Sequence, residues 1–246
     1  MNILYAMMLS LIAGLSTLIG ALFIFFPISK ENINKFISFC LAFSVSIMIG
    51  ISIFDLLTES IILIFNKYNI LSVLIIFISF VLAYIIIKIL DLLLKKYENN
   101  LYKLGILSMI TLIMHNLPEG VLTFLSSYMD RTLGLKLTFA IALHNIPEGI
   151  AIAVPIYYST KSKTKALLNT FISGLSEPLG ALLAYLFIYR FVNNIVMSII
   201  LLIVSFLMIT LAIEQLFPQA IKYKENKMVL YGLFIGLIII LITLVI

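Results

Sequence analysis

The sequence predicts an all-α polytopic membrane protein with eight transmembrane helices, on three observations. Of its 246 residues, 63% are hydrophobic and only 11% are charged, against about 25% charged in an ordinary globular protein. Its mean hydropathy of +1.22 is too apolar for any soluble surface to cover. The apolar residues fall in eight long runs, and the charges gather in the short stretches between them. The net charge of +5 is therefore a property of membrane loops and gives no sign of a nucleic-acid surface. Cys40 is the single cysteine, so there is no internal disulfide and no CxxC pair for a redox or thiolate–zinc site.

Each run can be justified in order. Span one, 3–26, follows a start from Met1 to Tyr5 with no basic segment, and is long enough to cross rather than serve as a cleaved signal. Span two, 36–62, lies between Lys35 and Lys67. Span three, 70–94, ends at the charged stretch from Lys95 to Lys103, the longest connection. Span four, 105–128, follows Lys103, and span five, 134–158, lies between Arg131 and Lys161. Span six, 166–190, begins after Lys165; span seven, 194–217, follows Arg190; span eight, 228–246, follows Lys227. At about 1.5 Å per residue each covers a hydrocarbon core of about 30 Å, the longer ones with tilt. No run is left over for a soluble domain, so residues 1–246 read as one transmembrane domain.

The basic residues set the orientation. With the N-terminus outside, Lys30, Lys35, Lys88, Lys95, Lys96, Lys103, Lys161, Lys163, Lys165, Lys222, Lys224 and Lys227 fall on the cytoplasmic side. Lys67, Arg131, Lys136 and Arg190 fall outside. That bias predicts both termini outside; eight spans with no further targeting signal point to the plasma (inner) membrane.

Ionisable groups inside spans carry the chemistry, because a carboxylate near the bilayer centre costs at least about 2.5–3.5 kcal/mol. A lone membrane histidine usually makes an interhelical hydrogen bond, but here both histidines of the chain begin the same hexapeptide. Span four carries His115-Asn116-Leu117-Pro118-Glu119-Gly120, and span five carries His144-Asn145-Ile146-Pro147-Glu148-Gly149. His and Glu at i and i+4 share one helix face, so each helix offers an imidazole one turn from a carboxylate. Each proline removes an N–H and frees the carbonyl of Met114 or Leu143, which at this depth needs protein, water or an ion as partner. The glycines admit a close neighbour. Each histidine lies about 15 Å into its span, from opposite surfaces, so the motifs meet near the midplane on antiparallel helices. Such sites are the usual construction of a transporter.

Glu177, in Ser173-Gly174-Leu175-Ser176-Glu177-Pro178 of span six, lies at similar depth and is also followed by proline. The alternative for it is a carboxylate held neutral by burial. Two imidazoles, two amides and three carboxylates at one level suit one or two divalent cations. The donor set favours Zn²⁺, with Fe²⁺, Mn²⁺, Co²⁺ and Cd²⁺ compatible, over Mg²⁺.

At these residues the sequence resembles the ZIP (Zrt/Irt-like) family of metal transporters, most closely its bacterial ZupT-like branch. The resemblance covers the whole chain: eight spans, the two HNxPEG motifs and Ser-Gly-Leu-Ser-Glu-Pro-Leu-Gly-Ala of span six. It implies inverted repeats, spans 1–3 and 6–8, around the central helices 4 and 5. It implies a first metal held by His115, Glu119, His144 and Glu148. A second would be held by Asn116, Asn145 and Glu177, with Glu119 and Glu148 bridging. Met48 resembles a methionine near the first metal, and a packing methionine fits it equally well. A homodimer and zinc import are implied in the same way. The histidine-rich loop that many members carry between spans three and four is absent here.

Asp55 and Glu59 fall near the outer end of span two, and Glu214 near the inner end of span seven. Either Asp55 attracts metal and Glu214 helps release it, or both are interfacial helix-end charges. No P-loop pattern offers direct ATP drive. The alternative from another class is a membrane-embedded metalloenzyme, but the order H-x-x-x-E with an internal proline matches neither HExxH nor Glu-x-x-His. The sequence calls for no organic cofactor; its expected partners are divalent ions and the lipid bilayer.

Overall fold

The computed structural model describes residues 2–97, 99–187 and 194–243. The chain begins with α1 (Asn2–Ala21), which tightens into a 3₁₀ turn over Leu22–Phe25. Next come α2 (Ile33–Ile51), a π-helical turn over Ser52–Leu57 and α3 (Thr58–Tyr68), which together make one long segment. Four long helices follow: α4 (Leu71–Leu93), α5 (Asn100–Met129), α6 (Arg131–Thr160) and α7 (Lys163–Leu186). The second composite segment is α8 (Asn194–Leu211), a π-helical turn over Ala212–Leu216 and α9 (Phe217–Ile221), and α10 (Asn226–Thr243) ends the described chain. No strand occurs among the described residues.

Among the described residues, seven helical segments are long and apolar enough to cross a membrane, and Asn226–Ile242 forms a shorter apolar helix. Arg190, one of the outer basic residues in the charge reading, and the ends of the sixth and eighth expected spans lie outside the described residues. The prolines inside the central helices do not end them: α5 is continuous through Pro118, and α6 through Pro147 and Pro155. The π-helical turns in the second and seventh spans were not expected, and each carries a carboxylate, Asp55 and Glu214.

The helices sort by what they pack against. α1, α5, α6 and α7 form one group, while α10 packs on α2, and α4 and α3 on α8; α2–α6 and α5–α8 contacts join the groups. Within the first group the backbones nearly touch. A methyl placed on Gly14 would collide with the Gly174 carbonyl, on Gly120 with that of Glu177, and on Gly149 with that of Thr17. Lipid tails give no hydrophobic drive for association, so such small-residue contacts hold membrane helices together. At the other extreme, α4 buries only Ser72, Ser79, Ala83 and Ile87 and turns Phe77, Ile85, Ile89 and their neighbours outward. That is the surface expected of a helix facing lipid.

A one-residue connection positions the centre. Asp130 is both the last cap of α5 and the first cap of α6, its carboxylate accepting from the Thr132 and Leu133 amides at 2.7 and 3.1 Å. Gly134 lies directly against Ser127, which lets the two helices start antiparallel at close range. Tyr5 of α1 stacks beneath Arg131, its ring 5.3 Å from the guanidinium, so the start of α1 lies at the same end as this turn.

Candidate metal centre

His115 is the sixteenth residue of the 30 in α5, and His144 the fourteenth of the 30 in α6. With a single residue between the helices, the two motifs are level, and the imidazole rings lie 6.3 Å apart. Both histidines, both glutamates of the motifs, both asparagines and Glu177 are buried. Glu119 Oε1 lies 3.1 Å from His115 Nε2 and 3.1 Å from His144 Nε2. Glu148 Oε1 lies 3.3 Å from His115 Nε2. One ligand atom from each of His115, Glu119 and His144 falls within 4.8 Å of the others.

The groups that meet here are rich in lone pairs. His115 Nδ1, Glu119 Oε2 and Asn145 Oδ1 are buried without a hydrogen-bond partner. Unsatisfied buried polar atoms of this kind are costly, and a cluster of them calls for a reason. Ligands about 2.0–2.1 Å from one ion at tetrahedral corners stand about 3.3 Å from each other. The separations of 3.1 to 3.3 Å match that spacing.

A second set of groups adjoins the first. Asn145 Nδ2 donates to Glu177 Oε2 at 3.0 Å and to the Ala13 carbonyl at 2.9 Å. Thr123 donates to Glu177 Oε1 at 3.4 Å, and Ser10 to the Glu177 backbone carbonyl at 3.1 Å. The Asn116 amide, turned to satisfy both of its polar atoms, donates to Glu148 Oε2 at 3.2 Å and to the Leu112 carbonyl at 3.1 Å. Each asparagine thus ties a carboxylate in place, with lone pairs left for a cation. Ser44 of α2 donates to the Pro147 carbonyl at 2.7 Å, anchoring the motif of α6 to the second group of helices.

The outlying residues separate. Met48 is buried in the main apolar core with Leu41, Val45 and Ile47. Glu59 is exposed. Glu214 pairs with Lys88 at 2.7 Å. Asp55 lines a cavity of about 560 Å³, together with Lys136, Leu143 and His144. Because His144 is shared, this cavity reaches from the α5–α6 turn to the edge of the buried cluster.

Sequence reasoning missed Ser10, Ala13, Ser44 and Thr123. A signal for the α1 contacts does exist: Ala6, Ser10, Ala13, Thr17 and Gly20 recur every three or four residues, a seam of small side chains on one helix face. Ser44 and Thr123 leave no comparable trace, since isolated hydroxyls are common in membrane helices.

Residues 95–244 match the family model described as ZIP Zinc transporter. The Zinc transporter ZupT of Oceanobacillus iheyensis is 35% identical to this chain, covering 99% of it and 98% of that protein. The Zinc transporters ZupT of Chlorobium chlorochromatii and Clostridium perfringens are each 32% identical, covering 99% of this chain and 97% and 96% of their own. With the family model covering more than half of the chain and these relatives nearly all of it, the chain belongs to the ZIP family, among its ZupT-like members: a multi-pass membrane transporter and not an enzyme.

Proposed function

We propose that this transporter carries divalent transition-metal ions, zinc foremost, into the cytoplasm through a binuclear site at the membrane midplane. Fe²⁺, Mn²⁺, Co²⁺ and Cd²⁺ are further substrates that the same donors suit. His115, Glu119, His144 and Glu148 hold the first ion. Asn116, Asn145 and Glu177 hold the second, with Glu119 and Glu148 between them. One observation carries the reading: Glu119 Oε1 stands 3.1 Å from both histidine Nε2 atoms, in a buried cluster whose lone pairs outnumber its donors. The names of the relatives, all zinc transporters, support zinc as the leading substrate.

The chain works as one transport domain over residues 1–246 with eight spans, α10 being the last, and with both termini outside the plasma membrane. Spans 1–3 and 6–8 are inverted repeats about α5 and α6. The occurrence of an acidic π-helical turn in the second span and again in the seventh supports that symmetry. Metal enters past Asp55 through the cavity, exchanges onto His144, and is shared by the glutamates before release. A homodimer is the assembly that the family resemblance implies.

Proteoliposomes offered Zn²⁺, Fe²⁺, Mn²⁺, Cd²⁺ and Mg²⁺ test the proposal, with Glu148→Ala beside the wild type. Saturable zinc uptake that collapses in the variant is expected. Uptake untouched by the substitution would make the paired motif structural, and uptake of none of these metals would remove the transport reading.

A further inference from the structure

The cavity that reaches His144 has an unexpected wall. Among its lining residues only three are polar: Asp55 from the π-helical turn, and Lys136 and His144 from α6. Lys136, Ala140, Leu143 and His144 follow at helical spacing along one face of α6, so the lysine stands two turns nearer the mouth than the histidine. The rest of the wall is aliphatic or aromatic, as at Ile51 and Phe139. Such walls repel water, have a low dielectric, and concentrate the field of the few charges they carry. A route that gathers cations would be expected to carry negative charge alone. Here one carboxylate is accompanied by one ammonium, and their formal charges cancel.

A long lysine at a helix end ordinarily turns its head to water at the membrane surface and needs no further role. Lys136 differs in lining the cavity that leads to His144. It forms no ion pair with Asp55 or with any other carboxylate among the described residues.

Resting on the transport reading above, we propose that Lys136 is a specificity-determining residue of the entrance. Its ammonium offsets the Asp55 carboxylate, so that a dication gains little there from charge alone and is retained only by bonding to imidazole further in. Hard dications such as Mg²⁺ and Ca²⁺ prefer carboxylate oxygens and keep their water. With the lysine in place they find no net negative charge at the mouth. Borderline ions reach His144 and are held there.

The test is zinc uptake into proteoliposomes at low ionic strength, with Mg²⁺ titrated as competitor. Lys136→Met keeps the length of the side chain and removes its charge; Lys136→Arg keeps the charge. A unit charge acting on a dication about 10 Å away through water changes its occupancy about fourfold. Lys136→Met is expected to let Mg²⁺ inhibit at an about fourfold lower concentration, with a smaller change in the zinc KM, because the zinc site is farther from the lysine. Lys136→Arg should keep the wild-type inhibition curve, and Lys136→Met combined with Asp55→Asn should return to it. An unchanged Mg²⁺ curve in Lys136→Met, with wild-type zinc uptake intact, would overturn this inference alone. Arginine behaving like methionine would make the role one of shape, and would overturn it too. Absence of uptake by the wild type itself would remove the transport reading and this inference with it.

Discussion

Replacing Gly120 with alanine tests whether backbone contact between α5 and α7 sets the geometry of the centre. The new methyl would overlap the Glu177 carbonyl oxygen, and would lie 2.7 Å from the carbonyl carbon and 3.0 Å from the Cα of the same residue. Ordinary contact begins at 3.4 Å, so the carbon must retreat by 0.7 Å and the oxygen, nearer still, by more than that. Neither neighbour is the free end of a flexible side chain; the whole helix has to move. Directed along the Asn145–Glu177 hydrogen bond, even the smallest of these displacements would stretch it from 3.0 to 3.7 Å, beyond bonding range. Overpacking of this kind costs about 1–3 kcal/mol of stability. A misplacement of about 1 Å at a reacting or binding group can cost on the order of 100-fold. Uptake at equal protein abundance should therefore fall by at least about tenfold, a discount from that figure because part of the shift is taken up by helix bending away from the side chain. Gly232→Ala is the control, because its methyl meets the Phe43 amide at 2.9 Å between α10 and α2, away from the proposed metal ligands. Thermal unfolding in detergent should show both variants destabilised, while zinc uptake should separate them. Wild-type KM and maximal rate in Gly120→Ala would refute the reasoning.

Two further outcomes are expected. Asn145→Ala removes the donor that holds Glu177 at 3.0 Å and the tie to the Ala13 carbonyl; support of this kind is worth about 10–100-fold in metal affinity. Its zinc KM should rise by that order and its bound-metal stoichiometry should drop, whereas an unchanged stoichiometry would take Asn145 and Glu177 out of the second site. Acidification should raise the apparent KM, because protons and metal compete for the same histidine and glutamate lone pairs and binding must release protons. Initial rates across a pH series, read at limiting and at saturating zinc, would contradict this if the limiting rate did not fall first.

The buried His–Glu cluster was legible because it repeats. Two six-residue motifs containing the only histidines of the chain, placed at equal depth, leave little else to infer, and the structure brings His115, Glu119, His144 and Glu148 together. The spans were legible for a coarser reason, since an apolar run must cross the bilayer or be buried. What the sequence hid was interior shape. A π-helical turn inserts its wider ring without changing composition, so the apolar runs around Asp55 and Glu214 read as plain helix. The fate of Met48 depended on which way the second span is rotated, and hydropathy does not fix rotation when every face is apolar. Asp55 and Glu214 looked like a matched pair at opposite surfaces. In the structure one opens on a cavity and the other is held by Lys88, so their roles need not mirror each other.

The π-helical turn at Ser52–Leu57 also fixes where the second span can change its length. An α-helix advances about 100° with each residue, whereas the extra residue of a π turn is absorbed locally as a wider loop. Deleting one residue within the turn would let it relax to ordinary helix with its two flanks still in phase. The same deletion in α2 after Ser44, or in α3 before Ser60, would swing everything on one side by about 100° relative to the other. Ser44, bonded to the Pro147 carbonyl on the near side, and Ser60 and Ile64, buried on the far side, could then no longer both face inward. Within this segment, a single-codon deletion should do least harm to the helix phase inside the turn, where its cost falls on the placement of Asp55.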